Sequence, residues 1–424
     1  MRQMRELVRE PAQSPARVRR SLTRVTESPP PVTLLEAKLR LPVVGPGHVA
    51  RPELVARLDH LTRHRLTLIT ALAGFGKTTL LAEWIATTSP GHVAWLSLDE
   101  GDNDPRRLWS HLVEAIRRAV RPALDHRVPT GLEPSEAAAH LLNALSGLER
   151  ELVIVVDDHH QLIPSARFGE QLSAFVPRLP EGVRMVVAAR RPPALALSLL
   201  RARGQLGEIS ADELRFDVPQ AVQLARGRIA ERDVEAAVRA TGGWPGCLVL
   251  ALEPAGGRHI RDYLADEVLS GEDPATLRLL ELTAVLDELR GPQCDALLDA
   301  TDSLERLREM ARATPLVTAV NAAYTRFRCE PLVRATLRDR LCEAEPERAA
   351  ELRNRAVAMS GAAVSEAELR VLRLLPTSLT LRGIGQELYL SLNTIKTHTR
   401  SLHRKLGVSN RTEAVDRARA LGIL

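Results

Sequence analysis

"LTLITALAGFGKTTLLAEW", residues 66–84, runs through three kinds of segment: an apolar run, a turn of small residues around Gly74 and Gly76, and an apolar-spaced run suited to a helix. The turn fits the phosphate-loop pattern, with Ala71 first and Gly76, Lys77 and Thr78 at the required spacing. Small residues there let successive backbone N–H groups converge on phosphate oxygens, and the following helix presents its positive N-terminus to the same point. Ala71, Leu72, Ala73, Gly74, Phe75, Gly76, Lys77, Thr78 and Thr79 are therefore candidate nucleotide-binding residues. Lys77 is placed to reach β/γ-phosphates and Thr78 to hold Mg²⁺.

Outward from this stretch, further short apolar runs alternate with helical patterns: VAWLSL (93–98), LVIVV (152–156) and VRMVVAA (183–189). Such alternation predicts a parallel sheet with helices on both faces. In ELVIVVDDHHQL (151–162) two carboxylates follow a buried-strand pattern. Asp157 is the expected second Mg²⁺ ligand and Asp158 the residue that polarises a water, which makes them the candidate catalytic pair. Arg190 follows MVVAA, so it emerges at the strand edge where open α/β sheets bind nucleotides, in reach of a γ-phosphate. His159 and His160 have no further ligand at metal spacing and are expected as solvent-facing turn residues. The acidic run DEGDNDP (99–105) lacks the pattern of a calcium loop and reads as a polar loop.

A chain of 424 residues is long enough for two to four domains with cores of their own. Hydrophobic residues at 45% and charged residues at 26% suit a globular, mostly helical protein. Cys247, Cys294, Cys329 and Cys342 form no C-x-x-C pair, so they are expected as core cysteines in a reducing cytosol. No apolar run approaches the roughly 20 residues of a membrane span, and MRQMRELVREPAQSPARVRR has no apolar segment behind it as an export signal would. A cytoplasmic location without a membrane partner is the expectation. Charge is uneven along the chain. Residues 365–424 hold ten Lys/Arg against five Asp/Glu, residues 1–30 hold seven against three, and the middle is slightly acidic. Basic ends point to an anionic polymer as partner.

Lysine is scarce: Lys38, Lys77, Lys396 and Lys405 are the only four. Two of them fall in LSLNTIKTHTRSLHRKLGVSNRTEAV (390–415). Ser365 to Glu368 reads as a capping box opening a helix with Leu369, Leu372 and Leu375 inward, ended by Pro376. Thr380 caps a second helix that buries Leu381, Ile384 and Leu388, and Tyr389-Leu390-Ser391 is short enough for a helix-turn-helix. In the third helix Ile395, Thr399, Leu402 and Leu406 form the buried side, with Lys396, Thr397, Arg400 and Arg404 opposite. A helix presenting such residues is sized for the DNA major groove, where Lys and Arg donate to guanine and Thr meets a thymine methyl. Gly407 suits the left-handed end of this helix, and Asn410 or Thr412 starts a fourth with Ala414, Ala418 and Leu421 on one side.

At these residues the chain resembles a known family. SEAELRVLRLLPTSLTLRGIGQELYLSLNTIKTHTRSLHRKLGVSNRTEAVDRARALGIL (365–424) is similar to the LuxR-type helix-turn-helix domain, with NTIKTH and KLGVSNRTEAV its most specific stretches. LLEAKLRLP, VARPELVARL, AGFGKTTLLAEW, VAWLSLDEGDNDP, VIVVDDHHQL, LRARGQLGEISADELRF and TGGWPG resemble the ATP-binding core of maltose-regulator-type activators, the large ATP-binding LuxR-family regulators of the STAND class. The resemblance implies a switch in which ADP holds a closed monomer and ATP with an inducer opens it to self-associate on double-stranded promoter DNA, with RNA polymerase a candidate partner. It implies ATP/ADP and Mg²⁺ as cofactors, Arg51 near the base, Pro245 on the adenine and Arg190 as γ-phosphate sensor. By the same likeness Lys396, Thr397 and Arg400 match base-contacting positions, and Asn393, Thr394, His398, Lys405 and Arg411 are expected at DNA phosphates.

The fold class expected is multidomain and mainly α with an α/β P-loop NTPase core. The divisions are a disordered basic arm (1–45), the NTPase core (46–210), a helical lid (211–258), a winged-helix-like region (259–345), a linker (346–359) and the four-helix DNA-binding domain (360–424). Gly383 and Gly385 stand where the family usually has Glu and Ala, at about 1 kcal/mol each in helix stability. FRCEPLVRATL (327–337) replaces an aromatic- and His-rich stretch, and no long helical-repeat sensor precedes the last domain. An ATP-binding transcriptional regulator, with slow hydrolysis at most as a timing step, is the first reading. The alternative is a LuxR-type DNA-binding regulator whose NTPase core is a degenerate scaffold. A P-loop kinase is a third, which leaves the C-terminal segment without a purpose.

Overall fold

The computed structural model describes residues 33–121, 133–159, 167–193, 195, 197–361, 365–377, 379–420 and 424. Five strands, β1 (Leu66–Thr70), β2 (His92–Ser97), β3 (Leu152–Asp157), β4 (Val183–Ala189) and β5 (Leu206–Ser210), form one parallel sheet in the order β2-β3-β4-β1-β5. Helices α1 (Pro52–Leu61), α2 (Lys77–Thr88), α3 (Pro105–Ala119), α4 (Pro134–Leu145), α5 (Arg167–Phe175) and α6 (Leu197–Ala202) cover it. Leu68, Ile154 and Val187 face the core shared with α3 and α4, through Leu112 and Leu141. Ile69, Val155 and Val186 face the opposite core with Leu58 of α1 and Trp84 of α2. The strand β5 is absent from the expectation drawn from sequence, because its edge position exposes Glu208 and so breaks the apolar run that marks its neighbours.

A lid of four helices follows: α7 (Ala211–Leu214), α8 (Val218–Ala225), α9 (Glu231–Thr241) and α10 (Pro245–Ala251). Then come α11 (Gly256–Tyr263), a π-helical turn (Leu264–Leu269), α12 (Pro274–Thr283), α13 (Gly291–Leu298), α14 (Ser303–Ala313), the antiparallel hairpin β6 (Val317–Ala319) and β7 (Phe327–Cys329), and α15 (Pro331–Ala344). Leu280, Phe327 and Leu337 from this winged-helix region join the same core as Ile69 and Trp84. Core and winged helix are thus packed as one continuous apolar body.

Two expectations are corrected here. The segment expected as a polar linker is α16 (Pro346–Gly361), whose Ala349, Leu352 and Ala356 are buried in that continuous core. Within the arm expected to be disordered, residues 1–32 lie outside the described residues, but Glu36–Leu39 forms a 3-10 turn with Lys38 buried. Lys38 pairs with Asp99 at 2.7 Å and with fully buried Asp102, whose carboxylate also faces His111 at 3.2 Å. The acidic run is therefore not a plain polar loop. Burial alone would raise the Asp102 carboxyl, but the nearby His111, Lys38 and the Asp99 N–H outweigh it and bring it to about 2.

The last domain consists of α17 (Glu366–Leu374), α18 (Leu381–Glu387), α19 (Leu392–Leu406) and α20 (Arg411–Ala420). Its core, built on Leu372, Ile384, Ile395, Leu402 and Ala414, takes no residue from the rest of the chain, although α16 runs beside α19. Gly385 has a reason to be glycine: a Cβ there would lie 2.9 Å from the Leu390 carbonyl oxygen, in the turn between α18 and α19. Close approach of that turn offsets its low helix propensity.

Candidate nucleotide and DNA sites

Between β1 and α2 the loop closes on Gly76, whose φ of +79° and place as N-cap of α2 require a residue without Cβ. Ala71, Leu72, Ala73 and Phe75 are buried, whereas Gly74, Thr78 and Thr79 are exposed. Lys77 is 7% exposed, and its Nζ donates to the Ala71 and Leu72 carbonyls at 2.9 and 3.1 Å. Burial pushes its pKa down to about 8, although Asp157 and Asp158 pull the other way. Asp157 ends β3 and accepts from the Thr78 hydroxyl at 2.6 Å. Burial, then the neighbouring Asp158, raises its carboxyl to about 6. Asp158 stands at φ +57° and donates its N–H to Asp157 Oδ1 at 2.9 Å.

Mg²⁺ takes oxygen ligands and is held by few protein groups when a nucleotide's phosphates complete its shell. The hydroxyl of Thr78 beside the carboxylate of Asp157 supplies two such oxygens, so these residues fit the ion. No cluster of three or more His, Cys, Asp or Glu suited to a metal occurs among the described residues. His159 does not face solvent as expected: it is buried, and burial lowers its pKa to about 4, so it stays neutral. His160 lies outside the described residues.

The structure places other expected ligands against protein. Arg190 donates to the Glu267 carbonyl at 2.7 Å and to its carboxylate at 3.3 Å. Arg51 donates through both terminal nitrogens to the carbonyls of Glu213, Leu214 and Arg215 at 2.8, 2.6 and 3.2 Å, and so braces that segment. Pro245 is buried as the first residue of α10. Its neighbours make the contacts that sequence reasoning missed. Trp244 Nε1 donates to the Ala73 carbonyl at 2.9 Å, Gly246 N–H donates to the Gly74 carbonyl at 2.8 Å, and the Trp244 and Phe75 rings lie 4.7 Å apart. The Trp-Pro-Gly turn is thereby bonded onto the phosphate loop. Its paired small residues were the available signal. Arg215, over the Phe75 ring at 5.4 Å, reaches Glu330 at 2.6 Å, which ties this loop to the start of α15.

In the last domain Ser391 caps α19 by accepting the Thr394 N–H at 3.1 Å, and Gly407 ends it at φ +67°. Lys396, Thr397 and Arg400 are exposed, Asn393 is exposed, and Thr394 and His398 are half-buried. Among the described residues Lys396 and Arg400 make no ion pair. Two residues expected at DNA phosphates also bond within the domain. Lys405 pairs with buried Glu368, whose carboxyl is held down to about 2 by that pair and its caps despite burial. Arg411 donates to the Leu375, Leu379 and Thr377 carbonyls at 2.8, 2.7 and 2.7 Å, closing the end of α17. Both hold the domain together.

A P-loop NTPase core, a lid and winged helix packed with it, and a separate helix-turn-helix head define the plan of a multidomain regulator. Residues 265–349 match the MalT winged helix domain and residues 362–418 match the bacterial regulatory proteins of the luxR family. The chain thus carries a MalT-type winged helix domain and a luxR-family domain. It is 30% identical over 335 residues to the HTH-type transcriptional regulator MalT of Cronobacter sakazakii, covering 72% of this chain and 37% of that protein, with the same figures for MalT of Klebsiella pneumoniae. The chain thus spans little more than a third of the length of these relatives. A solved STAND protein with a tetratricopeptide repeat sensor from Pyrococcus horikoshii aligns over 91% of this chain and 57% of its own, at 15% identity and a TM-score of 0.37. Residues 350–361, between the two matched segments, lie in α16, which leaves no room there for helical repeats. No described helix is long and apolar enough to cross a membrane.

Proposed function

We propose that this chain is a cytoplasmic transcriptional regulator that binds double-stranded promoter DNA through α19 and whose ATP or ADP state sets its assembly. The observation that carries the DNA reading is the exposed face of Lys396, Thr397 and Arg400 on the helix following a capped turn, in a domain with its own core. Such a helix reads base edges while its neighbours position the backbone. Lys77, with Thr78 and Asp157, supports the nucleotide reading. A bound Mg²⁺–nucleotide would supply phosphate charge, which Lys77 is placed to meet once it leaves the loop carbonyls. Self-association on DNA and contact with RNA polymerase belong to the same reading, as does slow hydrolysis with Asp158 positioning water.

A second reading has its own support. With Lys77 bonded to its own loop and Arg190 to Glu267, the site is satisfied without a ligand, as a scaffold would be. One experiment separates them. Operator affinity of the full-length protein is expected to rise with ATP over ADP, and Lys77→Ala is expected to erase that difference, since a ligand shifts an equilibrium only by its differential affinity. Equal affinity in all nucleotide states, with no nucleotide bound by calorimetry, establishes the scaffold.

A further inference from the structure

A cavity of about 620 Å³ lies where the sheet edge at β1 and β5, the phosphate loop and the β6–β7 hairpin meet. It touches Leu72 and Phe75 but none of Lys77, Thr78, Asp157, Arg190, Pro245 or Arg51. It therefore meets the candidate nucleotide residues only at Leu72 and Phe75 and stands apart from the Lys77, Thr78 and Asp157 cluster. Its size falls in the range of small-molecule sites, roughly 300–1,000 Å³, which pair apolar walls with a few polar groups.

The walls fit that description. Leu68, Ile209, Ala311, Val317 and Pro331 line it beside Phe75. Most of its charges are already neutralised: Arg201 binds Glu208 at 2.8 Å, and Arg215 binds Glu330 at 2.6 Å. Arg328 is the exception. It lines the cavity from β7, and its guanidinium makes no hydrogen bond or ion pair among the described residues. Thr318, its cross-strand partner in the hairpin, stands beside it on the same wall. An apolar chamber with one uncommitted guanidinium and a hydroxyl next to it matches a molecule with an apolar body and one carboxylate.

We infer that this cavity is a binding site for a small organic carboxylate with an aromatic or similarly bulky apolar body. An occupant would press on Phe75 of the phosphate loop and on the Arg215–Glu330 pair at the start of α15, which leads through α16 to the DNA-binding domain. Its effect on DNA binding rests on the regulator reading above, whereas its binding does not.

Calorimetry on the full-length protein with 2-naphthoate as probe and 2-naphthamide as its neutral counterpart tests the site. Saturable binding of 2-naphthoate is expected. Arg328→Gln, at an exposed position that leaves the core intact, is expected to weaken 2-naphthoate about tenfold and to leave 2-naphthamide unchanged. Ala319→Trp, which fills the chamber, should abolish both while circular dichroism stays that of the parent. The inference is overturned if 2-naphthoate does not bind, if both variants bind it like the parent, or if ATP displaces it competitively. Intact 2-naphthoate binding with no nucleotide effect on operator affinity would instead remove the switch and leave the site standing.

Discussion

Lys77 and Lys396 are two of only four lysines, and their settings are opposite. Lys77 is buried and bonded to carbonyls of its own loop, and burial makes its charge costly. Lys396 stands exposed beside Arg400 without an ion pair among the described residues. The first cation must give up bonds to meet a ligand, so binding there requires rearrangement. The second has none to give up. On the reading proposed above, one end would respond to a ligand and the other stands ready for one.

The comparison depends on the DNA-binding domain being a separate folding unit. Leu402 is fully buried in a core that shares nothing with the remainder. Leu402→Ala should cost about 2–5 kcal/mol in that domain. A thermal scan is expected to show an early transition confined to residues 365–420, with the nucleotide core melting as in the parent. A single shifted transition would show that the two regions are not independent.

A smaller effect tests the ready end. Arg400→Ala and Lys396→Ala are each expected to lose about 1–3 kcal/mol of operator affinity and to relax sequence preference. Gel-shift titrations against a base-substituted operator series measure both, and unchanged preference in the two variants would remove α19 from the groove.

The least effect concerns the responsive end. Asp157 must be ionised to hold Mg²⁺ and Lys77 protonated to meet phosphate, and their pKa values stand at about 6 and about 8. Affinity for Mg–ATP should therefore rise as pH passes about 6 and fall above about 8, since protonation below and deprotonation above each remove a needed charge. A flat profile from pH 5 to 9 would disconnect both groups from binding.

The sequence makes legible whatever is written in neighbouring residues. The phosphate loop, Asp157 at its strand end, and the buried and exposed faces of α19 are all local patterns. What stays hidden depends on partners far along the chain: Glu267 for Arg190, Glu368 for Lys405, the carbonyls of Leu375 to Leu379 for Arg411, and Asp102 for Lys38. A Ser365–Glu368 capping box was readable, but not that the same Glu368 also holds Lys405. Helix α16 looks like a linker in sequence because its charged residues mask the few positions that are buried.

The separation of the last core has a meaning for ancestry. A crossover in the gene between the codons for Gly361 and Ser365 would take no residue from either apolar core. Such a join lets one reading head be exchanged for another with different operator preference while the body keeps its packing. The boundary between the two apolar cores thus also lets the head be inherited as a unit.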